Sequence, residues 1–166
     1  MYLSPLRKSP ERDSSVHYKI AETRDEYEQA FKLLHDTYQR EGILEQTPSG
    51  MKVTLHALMP TTTVFVALED DRVVGTLALV EDSDMGLPME DLYPGEIRVL
   101  RQAKRRLAEV GSLAFERRFR HCGVALVLYG LMFRWARHWR GVDDIVITVN
   151  PSARDYFTTT LGFVPI

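Results

Sequence analysis

One cysteine, Cys122, among 166 residues leaves the chain without the means to close an internal disulfide, which excludes the stapled framework of small secreted domains. No apolar run approaches the roughly 20 residues that cross a bilayer as a helix. The N-terminus lacks the basic-then-apolar order of a secretory signal, so a reducing cytoplasm is the expected compartment. No internal repeat is visible. His17, His35, His56 and His138 show no metal-ligand spacing, and no metal is expected. Nucleic acid is not expected either, since there is no reader motif and few aromatics interleave with the basic residues.

What is present is the composition of one compact domain. Hydrophobic residues make up 45% and charged residues 27% of the chain, with a formal charge of −2, enough apolar material for a substantial core. Residues 1–16 mix Ser, Pro and charge without an apolar period and read as a flexible tail, leaving 17–166 as a single domain. His17 to Ala21 suits a first strand. Thr23 and Glu26 form a capping box for a helix bearing Tyr27, Ala30, Phe31, Leu34 and Tyr38, which Gly42 ends. Residues 43–61 hold at most a short helix near Val53 to Leu58. Leu44, Met51, Val53, Leu55, Leu58 and Met59 are scattered through this segment, and such a segment often covers a site. Val64 to Leu68 and Val73 to Val80 make a hairpin across the polar turn Glu69 to Arg72. Residues 82–95 read as loop.

The densest signal lies from Glu109 to Ala125. Glu109-Val-Gly-Ser-Leu-Ala-Phe115 reads as a strand, in which Gly111 marks a bulge or a close backbone approach. Arg120-His-Cys-Gly-Val-Ala125 follows and opens a helix whose apolar face carries Val124, Val127, Leu128, Leu131, Met132, Trp135 and Trp139. A glycine loop at a helix N-terminus presents unpaired N–H groups and partial positive charge, so it favours phosphate, and Arg120 adds a full charge. Asp144 to Val149 is a nearly continuous apolar run of the kind a buried parallel strand needs, stopped by Asn150-Pro151. Ser152 suits the cap of a last helix carrying Ala153, Tyr156, Phe157 and Leu161, with Gly162 in the left-handed position beyond it. Phe163 to Ile166 then begins another strand. Elements in this order give an α/β domain with a mixed sheet.

Arg120, Gly123 and Ala125 resemble the pyrophosphate loop of the GNAT acyltransferase superfamily. Phe31 to Gly42, Val74 to Asp82 with Gly86-Leu-Pro88, and Glu109 to Ala114 resemble one branch of it, the N-acyl amino acid synthases (FeeM-like) and the acyl-homoserine lactone autoinducer synthases. With Asn150-Pro151 and Leu161-Gly-Phe163, the resemblance spans about residues 18–166. It implies a splayed mixed β-sheet flanked by helices on both faces, whose fourth strand parts from the fifth to admit pantetheine. Ser112, Leu113, Ala114 and Phe115 would then offer backbone groups to the pantetheine. Arg120, His121, Cys122, Gly123, Val124 and Ala125 would cradle its phosphate, and Asn150 would border the cofactor. The sheet would continue beyond Ile166 through strands outside this sequence or supplied by a partner.

The implied activity moves a fatty acyl group from a pantetheine thioester to the amine of an amino acid or similar small amine, which makes Leu44, Met51, Val53, Leu55, Leu58 and Met59 candidates for the wall or lid of an acyl tunnel. No tightly bound cofactor is implied; acyl carrier protein or acyl-CoA is a co-substrate. Glu109 is the expected catalytic side chain, taking a proton from the attacking amine or holding its ammonium. Its plain alternative is an ion pair with Arg105 or Arg106. Many GNAT enzymes protonate the leaving thiolate with a tyrosine on the last helix, and that position is Phe157 here. Tyr156 precedes it, turned away by about 100° on a helix. Cys122 beside a helix start invites a nucleophile reading, against the simpler one of a small residue in a loop. From Arg98 to Arg120 eight Lys and Arg side chains face only Glu109 and Glu116, a basic stretch suited to an acidic acyl carrier protein as partner. The alternatives are an acyl-homoserine lactone synthase, a conventional acetyl-CoA N-acetyltransferase and a non-catalytic acyl-thioester-binding module.

Overall fold

A computed structural model describes residues 16–119 and 123–166; the expected N-terminal tail, but for Val16, lies outside them, as do Arg120, His121 and Cys122. The elements run β1 (His17–Ile20), α1 (Arg24–Arg40), β2 (Thr62–Glu69), β3 (Arg72–Glu81), α2 (Pro94–Gln102), β4 (Leu107–Phe115), α3 (Val124–Arg134), β5 (Asp144–Val146) and α4 (Arg154–Thr159). The five strands lie side by side in chain order. The first four are antiparallel and β4 pairs with β5 in parallel, so α3 is the crossover that parallel pairing requires.

Local chemistry accounts for most element ends. Thr23 Oγ1 accepts from Glu26 N–H at 3.2 Å and Glu26 Oε2 accepts from Thr23 N–H at 3.0 Å, the reciprocal box that starts α1. The N–H groups of Glu22 and Thr23 pull the Glu26 carboxyl down to about 2. Asp70 and Asp71 both have positive φ, 48° and 62°, which is the two-residue turn whose twist suits the β2–β3 hairpin. At the other end, Asn150 rather than Ser152 is the cap: its Oδ1 accepts from Ser152 N–H at 3.0 Å and starts a 3-10 turn, Pro151–Ala153, that leads into α4. An Asx side chain reaches the N–H two residues on more directly than a serine reaches its own turn.

Three expectations change. Residues 82–95 are not all loop, because Pro94 opens α2, a helix whose Ile97 is fully buried. The strand expected over Asp144 to Val149 pairs only through Val146. Phe163 to Ile166 form no strand, and Val164 and Ile166 are exposed. α3 also widens into a π-helical turn, Trp135–Trp139, stacking Trp135 on Trp139 with ring centroids 6.1 Å apart.

The sheet separates two apolar layers. On one face Phe65, Leu77, Leu79, Ala108 and Val110 meet Val124, Leu128, Tyr129 and Met132 of α3, with Phe157 of α4. On the other, Val64, Val66 and Leu68 meet Tyr27 and Ala30 of α1, while Val80, Leu107 and Val146 meet Met89 and Ile97. Gly75 on β3 lets the Phe115 ring lie against the backbone, since a Cβ there would stand 2.7 Å from the ring. We predict that Gly75→Ala lowers stability by about 1–3 kcal/mol through overpacking, read as a fall in the urea midpoint with unchanged m.

Candidate active site

The site begins where two strands stop pairing. Leu107, Ala108 and Glu109 face Asp144, Ile145 and Val146 in register, and beyond that point β5 leaves the ladder while β4 runs on to Phe115. β4 also carries a bulge: Thr76 faces Ala114 and Ala78 faces Gly111, so Leu77 alone opposes both Ser112 and Leu113. The positive φ that the bulge needs, 53°, falls on Ser112 and not on Gly111, which sits beside it. Beyond the bulge Glu116 N–H donates to Val74 C=O, at 3.0 Å. Alternation along the strand therefore turns the backbone groups of Ala114 toward β3 and those of Leu113 and Phe115 toward the open side. Of the four residues expected to offer backbone to pantetheine, these two are turned that way.

Glu109 stands at the fork itself. It is 7% exposed and directed to the α2 side of the sheet, where Oε2 accepts from Met89 N–H at 2.7 Å. Neither Arg105 nor Arg106 holds it. Arg105 pairs with Asp144, and Arg106 donates its backbone N–H to Asp143 Oδ2 at 3.0 Å. No cation among the described residues pairs with Glu109. Burial raises its carboxyl above the ordinary glutamate value, and the one N–H only partly opposes that rise.

The Met89 N–H is itself held in place. Arg101 on α2 forks to Asp82 with Nε and Nη2, both at 2.7 Å, and to Glu90 with Nη1 and Nη2 at 2.6 and 2.7 Å. Two bidentate pairs thus fix the 82–91 turn from both sides. The Arg101 guanidinium draws the Glu90 carboxyl below its ordinary value.

The basic stretch of the sequence is not a basic surface. Arg101 is spent on Asp82 and Glu90, Arg105 on Asp144, and Arg118 on Glu69 and Glu116. Of the rest, Arg98, Lys104 and Arg106 are exposed around the start of β4, and Arg117 at its far end. A nine-residue strand separates the two groups by roughly 30 Å.

The phosphate loop is described only from Gly123 onward. Gly123 has φ 75° and its C=O accepts from Val127 N–H at 3.1 Å, so α3 starts there with Val124 and Ala125 in its first turn, as expected. Arg120, His121 and Cys122 are sequence expectations only. Asn150 is exposed and its side chain is engaged in its own cap. Phe157 is buried and Tyr156 is 40% exposed, its ring edge-on to Phe157 at 5.4 Å.

A cavity of about 890 Å³ runs along the free side of β5, bounded by Met89 and Leu100, by Phe133, and by Phe157 and Phe163. The residues expected to line an acyl tunnel are elsewhere: Leu55 and Leu58 are 73% and 65% exposed on the segment after α1. That segment is tied down instead by buried His35, whose Nε2 accepts from Thr47 N–H at 3.2 Å. Tyr129, absent from the helix face read in the sequence, is 1% exposed, and its hydroxyl has no partner among the described residues.

The sequence profile of the N-acyl amino acid synthase FeeM matches residues 29–166. The chain belongs to the FeeM family of N-acyl amino acid synthases. It is an acyltransferase enzyme. Among solved structures, FeeM from uncultured soil microbes aligns with a TM-score of 0.76 at 22% identity, covering 87% of this chain and 76% of that one. An acetyltransferase from Trypanosoma brucei aligns at 0.61 and 10% identity, covering 92% and 94%. A predicted acetyltransferase from Clostridium acetobutylicum, solved with acetyl-CoA, aligns at 0.56 and 15%, covering 92% of each chain. At these identities the likeness establishes the GNAT fold. No curated protein matches by sequence.

Because burial raises the Glu109 carboxyl, the folded chain holds its proton more tightly than the unfolded chain. The stability this gives is complete below the ordinary glutamate value and is lost as pH rises through the folded value. Glu109→Gln keeps an acceptor for Met89 N–H without the charge. We expect it to match the wild type below about pH 4 and to become progressively more stable than wild type toward neutrality, measured by urea denaturation across pH.

Proposed function

We propose that this enzyme forms an amide by moving a fatty acyl group from the pantetheine thioester of an acyl carrier protein to the α-amine of an amino acid. The observation that carries the proposal is Glu109: a buried carboxylate with no cation among the described residues, at the fork of β4 and β5, held by one N–H on a clamped turn. An amine nucleophile must lose a proton as it bonds to carbon. A base whose affinity for protons is raised toward neutrality takes it more readily than an ordinary carboxylate.

In this reading the pantetheine arm lies along β4 beyond Glu109, bonded to the outward backbone of Leu113 and Phe115. The first turn of α3, from Gly123 to Ala125, receives its phosphate, with Arg120 supplying charge. The amine nitrogen attacks the thioester carbonyl carbon, a C–N bond forms, and the tetrahedral oxyanion is met by a backbone N–H of β4. The nitrogen passes its proton to Glu109 directly or through water. The C–S bond then breaks, the sulfur leaving with its electron pair. Exposed Arg117, with Arg120 close in sequence, is the basic feature at the end where an acidic carrier would approach.

Purified enzyme offered acyl carrier protein thioester or acyl-CoA, each with a mixed pool of amino acids, should yield N-acyl amino acids identified by mass spectrometry, faster from the carrier protein. Glu109→Gln should lower the rate by about 10²-fold or more while donor affinity is kept. Full turnover by the variant would remove Glu109 from the chemistry. Donor binding without amide formation by either protein would instead favour a non-catalytic thioester-binding module.

A further inference from the structure

Acyl transfer as proposed leaves one buried titratable group unused. Tyr129 lies on α3 with its ring edge-on to Phe157 at 6.1 Å and tilted against Phe133 at 6.3 Å. Its hydroxyl is buried and unpartnered among the described residues, and a buried hydroxyl without a hydrogen bond is a cost that packing alone would remove by using phenylalanine. Side chains on a helix lean toward its N-terminus, which here is the end at Gly123 and the open end of the fork. Tyr38, near the end of α1, and Tyr156 on α4 are close enough for their charges to act on the phenol. α1 packs on the sheet face opposite α3. Phe133 and Phe157, the two rings it packs against, both line the cavity along the free side of β5, so the phenol stands directly behind that wall.

We propose that Tyr129 is a catalytic residue whose hydroxyl donates a hydrogen bond to the thioester sulfur as it leaves, a role for which Phe157 has no hydroxyl. The proposal rests on the acyl-transfer reading above. The reacting atoms balance without a proton from Tyr129. The amine nitrogen bonds to the carbonyl carbon and gives its proton to Glu109, the sulfur departs with the C–S electron pair, and that same proton reaches the thiolate from Glu109 through water. Burial pushes the Tyr129 phenol further above any thiol. It therefore stays protonated and stabilises the developing thiolate by hydrogen bonding rather than by proton transfer.

Tyr129→Phe tests this on two thioesters of one acyl chain, an alkyl pantetheine ester and a phenyl ester whose thiol is far more acidic. A leaving sulfur that needs stabilising should suffer most. We expect kcat/KM to fall about 10- to 10²-fold for the pantetheine ester and less than about threefold for the phenyl ester, with each rate compared to wild type on the same ester. The melting temperature should stay level or rise, because the substitution removes an unpaired buried hydroxyl. Equal losses on the two esters, no loss on either, or a fall in melting temperature would overturn the assignment and make Tyr129 a packing residue. Turnover of neither ester by the wild type would overturn the acyl-transfer reading and this role with it, whereas wild-type turnover with an unaffected variant removes only Tyr129.

Discussion

The proposed site depends on β4 and β5 ceasing to pair after Glu109 and Val146. A parallel ladder normally continues as far as both strands allow, since each backbone group left unpaired in a protein interior is costly. Here β5 takes only three residues into the sheet, and the bulge at Ser112 and Leu113 turns the end of β4 independently of it. The result is a fork with backbone donors and acceptors along one arm, a carboxylate at its vertex and a cavity along the free side of the other. A bound extended chain can satisfy those groups as a neighbouring strand would.

The vertex is defined by how neighbouring carboxylates are treated. Glu90 and Asp82 are both gripped by Arg101 and serve the turn. Glu81, one register position from the vertex but on the opposite face, is held by Arg140 Nε at 2.6 Å. Glu81 is buried as well but has Arg140, whereas Glu109 is buried with no cation among the described residues and holds a single N–H. Arg101 pulls the Glu90 carboxyl down while burial pushes Glu109 up, and that divergence underlies the proton-acceptor role proposed for Glu109. The clamp at Arg101 has a second effect, because the Met89 N–H it positions keeps the Glu109 oxygen in one place.

The fold is shared with acetyltransferases at 10–15% identity, so the scaffold itself does not name a substrate. What separates members of such a fold is what fills the fork. In this chain the last helix contributes Phe157, buried against Tyr129 of α3, in place of the tyrosine expected there.

Much of the architecture was legible in the amino-acid order because it depends on residues close in sequence. The Thr23–Glu26 box, the Asp70-Asp71 turn and the helix opening at Gly123 each follow from local geometry or from a motif within a few positions. Local rules also misplaced some features by small steps: the bulge fell on Ser112 beside Gly111, and the cap on Asn150 two residues before Ser152. Other properties were invisible because they join distant segments. The burial of Glu109 and its bond to Met89, 20 residues earlier, required α2 to fold over the sheet. Three arginines of the basic stretch, Arg101, Arg105 and Arg118, are tied to Asp82, Glu90, Asp144 and Glu69, none of which lies within it. Tyr129 looked like one more apolar residue of a helix, and only its packing against Phe157 showed a buried hydroxyl with no partner among the described residues. The sequence by itself determined most of the elements and the family, but not α2, since periodicity and motif spacing are properties of the chain. Only the tertiary structure decided which charges are free, which carboxylate is desolvated and which hydroxyl has no partner, because each depends on what other segments bring within a few ångströms.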